Sequence, residues 1–148
     1  MVVILIVAHA PLASALAAVA AHSYPECGAT LVAHDITRDE GPDDVDKRVR
    51  QSLRDIDDAG ALILTDVVGA TPHMGAWRVA EGNARVRLVS GVNVPMLWRT
   101  LCYRAESLDQ LASRAADGGK RGVVMTAPAL PSDPGSDTAH HAQDPHLD

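Results

Sequence analysis

The sequence predicts an α/β protein, a mainly parallel sheet flanked by helices, in a chain of 148 residues. Two observations carry that expectation. Short apolar, β-branched runs alternate with alanine-rich or amphipathic segments, the order required by parallel strands joined through crossover helices. Hydrophobic residues make up 47% of the chain, yet aromatics only 3%, and Phe is absent. The core must therefore be built from Ala, Val, Leu and Ile, which suits strands buried on both faces.

The elements follow in chain order. Residues 2–8 form a continuous apolar run, as expected of a buried strand. Pro11 can occupy the first turn of the next helix, where its missing N–H costs nothing, and Leu12, Leu16 and Val19 give that helix an apolar stripe. After Gly28, residues 29–33 read as a second strand, and the polar stretch 37–44 with Gly41-Pro42 reads as a loop. Val45, Val49, Leu53 and Ile56 then recur at helical spacing among charged residues. Gly60 closes that helix, and residues 61–65 (ALILT) form a third buried strand. Residues 66–71 make a loop, with Thr71 as N-cap and Pro72 as first residue of a helix to about Glu81. Residues 86–89 are a fourth strand, followed by a helix from about Pro95 to Tyr103. Ser107 and Gln110 predict a capping box for a last helix that stops at Gly118-Gly119. Residues 122–126 read as a short fifth strand, and residues 127–148, rich in Pro, Asp, Ser and His, as a disordered acidic tail. The folded domain is thus expected over residues 1–126.

Charge and composition exclude several classes of function. The net charge of −6, without a basic stripe, argues against nucleic-acid binding. All 13 Lys and Arg precede Gly122, whereas Asp133, Asp137, Asp144 and Asp148 lie in the tail. Cys27 and Cys102 show no metal or redox spacing and read as reduced structural thiols. The long apolar stretch 2–21 has no preceding Lys or Arg, is interrupted by His9 and Pro11, and switches from Val and Ile to Ala and Leu. A strand running into a helix explains that switch, so we expect a cytoplasmic protein without stable membrane insertion. No phosphate-binding glycine motif of a nucleotide enzyme occurs, and no cofactor or metal is expected.

In parallel sheets ligands and chemistry collect at the carboxyl ends of strands. His9 after the first strand and Asp66 after the third are the polar residues that this rule brings together. A carboxylate beside an imidazole fixes its tautomer and leaves the opposite nitrogen available as a nucleophile. Taken singly, His9 reads as a strand-end histidine and Asp66 as a loop aspartate. Asn93 can order its own turn or bond to the loop carrying Asp66, the first being the expectation. His73 reads as an exposed surface histidine, His22 and His34 have no partner at recognisable spacing, and His140, His141 and His146 belong to a solvated tail.

Three segments, Ile6-Val7-Ala8-His9, Asp66-Val67-Val68-Gly69-Ala70-Thr71-Pro72 and Gly91-Val92-Asn93-Val94-Pro95-Met96-Leu97, closely resemble the mannose-type IIA component of the bacterial phosphoenolpyruvate-dependent sugar phosphotransferase system. The resemblance covers roughly residues 1–126. It implies a flavodoxin-like fold, with residues 122–126 as a C-terminal strand exchanged in a homodimer; from the residues alone, an edge strand on its own sheet is the simpler reading. It implies that His9 is phosphorylated on its ε2 nitrogen by the histidine phosphocarrier protein and hands the phosphoryl group to a IIB component, here in trans. Asp66 would bond the δ1 nitrogen and Thr71 would contact the phosphate. The chain departs from the family pattern at Ala10-Pro11, Ala70, His73 and Met74, all on the rim that a partner would meet. A regulatory protein whose His9 phosphorylation controls partner binding would use the same site. A hydrolase using His9 as base lacks a Ser or Cys nucleophile elbow.

Overall fold

Alternation of apolar strands with helices produces β1 (Val3–His9), α1 (Leu12–Ser23), α2 (Pro25–Gly28), β2 (Val32–Ile36), α3 (Pro42–Ser52), β3 (Ala61–Thr65), α4 (Thr71–Ala80), β4 (Val86–Ser90), α5 (Val94–Leu101) and α6 (Leu108–Arg121). The computed structural model describes residues 1–28 and 30–127. All four strands pair in parallel in the order β2-β1-β3-β4, as the α/β reading expects.

Period-two alternation along the central strands divides the core into two layers. Val2, Ile4, Ile6 and Ala8, with Leu62 and Leu64, face α1, α5 and α6 through Leu16, Ala20, Met96, Leu97, Leu101 and Leu111. Leu5 and Val7, with Ala61 and Ile63, face α3 and α4 through Val45, Val49, Ala76 and Val79. Residues 4–8 of β1 are completely buried, which is why the run carries no polar residue until His9. The stretch that resembled a membrane segment is therefore β1 and α1, and among the described residues no helix is long and apolar enough to cross a membrane.

Several boundaries differ from expectation. The second strand occupies Val32–Ile36, with Pro25–Gly28 as a short helix before it; Ala29, the start of the expected strand, lies outside the described residues. His34 and Asp35 thus belong to the strand rather than to the loop after it. They are tolerated because β2 is an edge strand and each finds a partner: His34 Nε2 lies 2.8 Å from Ser52 Oγ, and Asp35 accepts the Ser14 N–H at 3.0 Å. Pro11 is the N-cap of α1, one position ahead of the expected first turn. The last helix has the expected Ser107–Gln110 capping box but runs through Gly118-Gly119 to Arg121. Both glycines are buried against α5, where an added Cβ would stand 2.6 Å from Arg99 Cγ or 2.7 Å from Met96 Cε. They permit a close helix–helix approach instead of ending the helix.

The fifth strand is not formed within the chain. Residues 123–127 have no regular secondary structure, and Val123, Val124 and Met125 are 79%, 75% and 93% exposed. A strand exists only as a ladder with a neighbour, and this run meets none among the described residues. The tail expected over residues 127–148 lies, from residue 128 onward, outside the described residues, and with it the four tail aspartates and three tail histidines.

Gly75 sets the spacing of α3 and α4: a Cβ there would fall 2.4 Å from Val45 Cβ and 2.8 Å from the Pro42 carbonyl oxygen. Gly75→Ala should therefore destabilise the fold by about 1–3 kcal/mol of overpacking, partly offset by ~1 kcal/mol of helix propensity. Denaturant unfolding of Gly75→Ala, Val45→Gly and the double variant should show the double change costing less than the two single costs added, because glycine at residue 45 removes the Cβ that the new methyl would meet. Strict additivity would place the steric conflict elsewhere.

Candidate functional site

The β1–β3 register brings His9 and Asp66 together. Val7 lies opposite Thr65, so both chains leave the sheet at the same edge, His9 two residues beyond that pair and Asp66 one. Asp66 Oδ2 accepts both the main-chain N–H of His9 at 2.9 Å and its ring Nδ1–H at 2.6 Å, while Oδ1 accepts the Val67 N–H at 2.8 Å. The Asp66 side chain is only 9% exposed, that of His9 54%. Burial pushes the Asp66 carboxyl up, but the bonds from the His9 main chain, the His9 ring and the Val67 N–H outweigh it and hold the group below the usual carboxylate range. An ionised carboxylate only accepts hydrogen bonds, so the ring proton resides on Nδ1 and the lone pair of a neutral imidazole on Nε2. Nε2 makes no hydrogen bond among the described residues.

The main chain around Asp66 is braced from both sides. Gly91 donates its N–H to the Asp66 carbonyl and Val92 to the Thr65 carbonyl, each at 2.9 Å, so the β4–α5 turn fastens the end of β3. Gly69, with φ +83°, turns the Asp66 loop back toward α4, a conformation that any side chain would strain. The next residue, Ala70, is extended with φ −77°, so this departure from the family pattern places no strain on the backbone.

Thr71 lines an open cleft of about 480 Å³ together with His9, Thr37, Arg38 and Glu40. It is the first residue of α4 rather than its N-cap; Ala70 holds that position without a side-chain bond, and Pro72 follows as the second helical residue. The Thr71 hydroxyl is consequently not engaged in capping α4. Asn93 orders its own turn, as expected: Oδ1 caps α5 by accepting the Met96 N–H at 2.9 Å, and Nδ2 donates to the Gly119 carbonyl at 3.1 Å. Its side chain does not bond to the Asp66 loop.

His73 is not the exposed surface histidine that the sequence suggested. It is half-buried, with Nδ1 2.8 Å from Ser90 Oγ, which in turn lies 2.8 Å from the buried Thr65 hydroxyl, and its ring stacks on Trp77. The cluster exists because the β3–β4 register sets Thr65 beside Ser90, a pairing 25 residues apart in sequence. The other rim departures, Ala10, Pro11 and Met74, are exposed, as are Val67 and Val68.

The turn at residues 37–40 escaped the sequence reading. Glu40 Oε2 accepts the Thr37 N–H at 2.8 Å and the Thr37 hydroxyl at 3.1 Å, and Arg48 donates to Glu40 Oε1 at 2.6 Å. These bonds, the Thr37 N–H first and Arg48 next, hold the Glu40 carboxyl below the usual range. The Thr-x-x-Glu spacing was the available signal, because it is the reciprocal pattern of a capping box. Nothing in the sequence places Arg38 beside His9.

Comparisons with known proteins show the family and the fold to which the chain is similar. Residues 3–115 match the EIIA-man family, described as the fructose IIA component of the PTS system. The PTS system mannose-specific EIIAB component of Escherichia coli strain K12 is 36% identical over 66 residues, 43% of this chain and 20% of that protein. The fructose-specific EIIA component of Bacillus subtilis strain 168 is 31% identical over 75 residues, 50% of this chain and 51% of that one. The chain thus spans about a fifth and about half the length of these two relatives. In fold it is similar to phosphotransferase system component EIIA from Streptococcus agalactiae, with a TM-score of 0.76 at 22% identity over 84% of this chain and 97% of that one. It is equally similar to the mannose/sorbose-specific IIA subunit from Enterococcus faecalis, with a TM-score of 0.76 at 22% identity over 87% and 98%. A four-stranded parallel sheet with an imidazole–carboxylate pair at its carboxyl edge, and a family match over residues 3–115, together establish that this chain belongs to the mannose-type IIA family of the sugar phosphotransferase system.

Proposed function

We propose that the chain is a cytoplasmic histidine phosphocarrier in which His9 accepts a phosphoryl group from the phosphorylated histidine phosphocarrier protein and passes it to a IIB component for sugar uptake. The observation that carries the reading is the 2.6 Å contact of His9 Nδ1 with Asp66, which leaves Nε2 as the nucleophilic nitrogen on an exposed ring. In the forward step His9 Nε2 forms a bond to phosphorus while the P–N bond of the carrier's phosphohistidine breaks. The electron pair of that bond returns to the carrier's imidazole. The His9 ring keeps its Nδ1 proton throughout, and the positive charge it acquires faces the Asp66 carboxylate. Transfer to IIB repeats the displacement with His9 as the leaving group. Positioning and charge stabilisation do most of the work in such transfers.

Thr71 would serve as a hydrogen-bond donor to the phosphoryl oxygens, supported by its place in the cleft and by its freedom from capping. Residues 1–126 would be the operating domain. We further propose that it works as a homodimer through exchange of residues 122–126. Support comes from the exposure of Val123, Val124 and Met125 in the single chain and from β4 standing at the sheet edge without a strand beyond it among the described residues. An unpaired edge and an unpaired apolar run are complementary liabilities, and exchange between two copies satisfies both.

Incubation with phosphoenolpyruvate, enzyme I and the phosphocarrier should add one phosphoryl mass, acid-labile and base-stable, that His9→Gln loses entirely. Undiminished labelling of that variant would reject His9. Asp66→Asn should slow labelling by at least about tenfold, ~1.4 kcal/mol of barrier, while binding of the carrier changes little. An unchanged rate would reduce Asp66 to a loop aspartate. Light scattering at micromolar concentration should give a dimer mass for the parent and a folded monomer for Val124→Pro, because Val124 is exposed in the single chain and a proline there removes only an intermolecular ladder donor. A monomeric parent ends the exchange proposal.

A further inference from the structure

The charge arriving with the phosphoryl group needs a counter-charge, and the cleft holds one that the reaction as described does not use. A phosphoryl group on Nε2 brings about −1.5 to −2 charges to the cleft, by analogy with phosphorylated side chains. Two carboxylates already stand nearby. Asp66 faces the positive charge that the ring acquires when it is phosphorylated, and Glu40 is paired with Arg48 and bonded to the Thr37 N–H. Neither Arg48 nor the Thr37 N–H is therefore free to take the new charge. Among the described residues, Arg38 is the only Lys or Arg that lines the cleft with His9. Among the described residues the arginine–carboxylate pairs engage Arg48, Arg50, Arg78, Arg87 and Arg114, and Arg38 makes no side-chain hydrogen bond.

Its position is fixed by the fold rather than by chance exposure. Ile36 pairs in register with His9, and its carbonyl accepts the Ala10 N–H at 2.9 Å. Arg38 lies two residues further on, in a turn closed by the Glu40 N–H on the Thr37 carbonyl at 3.2 Å and by the Glu40 carboxylate on the Thr37 N–H. The turn thus sets Arg38, a cleft-lining residue with no side-chain hydrogen bond among the described residues, just beyond β2, on the other side of β1 from the β3 strand that precedes Asp66. The planar fork of arginine suits bidentate contact with phosphoryl oxygens, which a lysine reproduces only as a point charge.

We infer that Arg38 is a phosphoryl-binding residue, its guanidinium taking oxygens of the group carried on His9 Nε2 and so holding the phosphorylated form. The inference rests on the reading of His9 as phosphoacceptor. The test uses the full chain as parent, Arg38→Gln and Arg38→Lys, each equilibrated with the phosphocarrier protein, enzyme I and phosphoenolpyruvate, with the phosphorylated fraction read by intact mass and the fold by thermal melting. With melting unchanged, Arg38→Gln should lower the equilibrium constant for transfer from the carrier by about tenfold, equivalent to ~1.4 kcal/mol. Arg38→Lys should recover part of that loss, which a merely structural role would not produce. An unchanged equilibrium in Arg38→Gln overturns the inference, including the case in which forward and reverse rates fall together, because the residue would then act on partner docking. A parent that takes no phosphoryl group at all fails the His9 reading, and this inference falls with it; a labelled parent with an unaffected Arg38→Gln fails this inference alone.

Discussion

Asp66 Oδ2 accepts two hydrogen bonds from one residue, from the ring and from the main chain of His9. The geometry at this edge of the sheet depends on that double contact. It requires β1 and β3 to be adjacent, parallel and in one register, since a slip of one residue would turn His9 to the opposite face. The register in turn is held by two apolar layers, and in each of them the residues of β1 and β3 pack on the same helices. The cores on either side of the sheet therefore determine where a single carboxylate oxygen stands.

Desolvation and hydrogen bonding oppose each other at Asp66, and hydrogen bonding prevails. A carboxylate with its side chain only 9% exposed would be raised by burial alone. Three N–H donors from two residues reverse the direction and keep it ionised. Ionisation settles the tautomer of His9: the ring proton stands on Nδ1, against the carboxylate, and Nε2 is the nitrogen left without one. A neutral asparagine at residue 66 could keep the volume but not that logic. The second cleft carboxylate, Glu40, is treated differently: it is paired with Arg48 and bonded within its own turn, so it shapes the loop and adds little uncompensated negative charge to the cleft.

The glycines show how the same residue type serves different ends. Gly69 and Gly91 have positive φ and turn the chain at the two loops that meet around Asp66. Gly75, Gly118 and Gly119 have no unusual backbone; they are small because another element passes within van der Waals contact. Sequence alone reads both kinds as punctuation, and that is why Gly118-Gly119 suggested the end of a helix that continues to Arg121. Asn93 joins the two themes, capping α5 and reaching across to the Gly119 carbonyl at the α5–α6 contact.

What the sequence determined by itself is what periodicity and local chemistry determine. The buried strands read at residues 2–8 and 61–65, the amphipathic helix through Val45 and Val49, the Ser107–Gln110 capping box and the placement of His9 and Asp66 at strand ends all follow from patterns a few residues long. Tertiary structure decided what depends on residues far apart in the chain. The edge position of β2 let His34 and Asp35 join a strand whose apolar run ends at residue 33, because an edge offers polar side chains partners and water. The β3–β4 register drew His73 into a cluster with Ser90 and Thr65. The turn at Glu40 brought Arg38 to the cleft beside His9. Residues 122–126 have strand-like sequence but no strand in this chain, because β structure is a property of a pair of segments and a sequence run supplies only one of them.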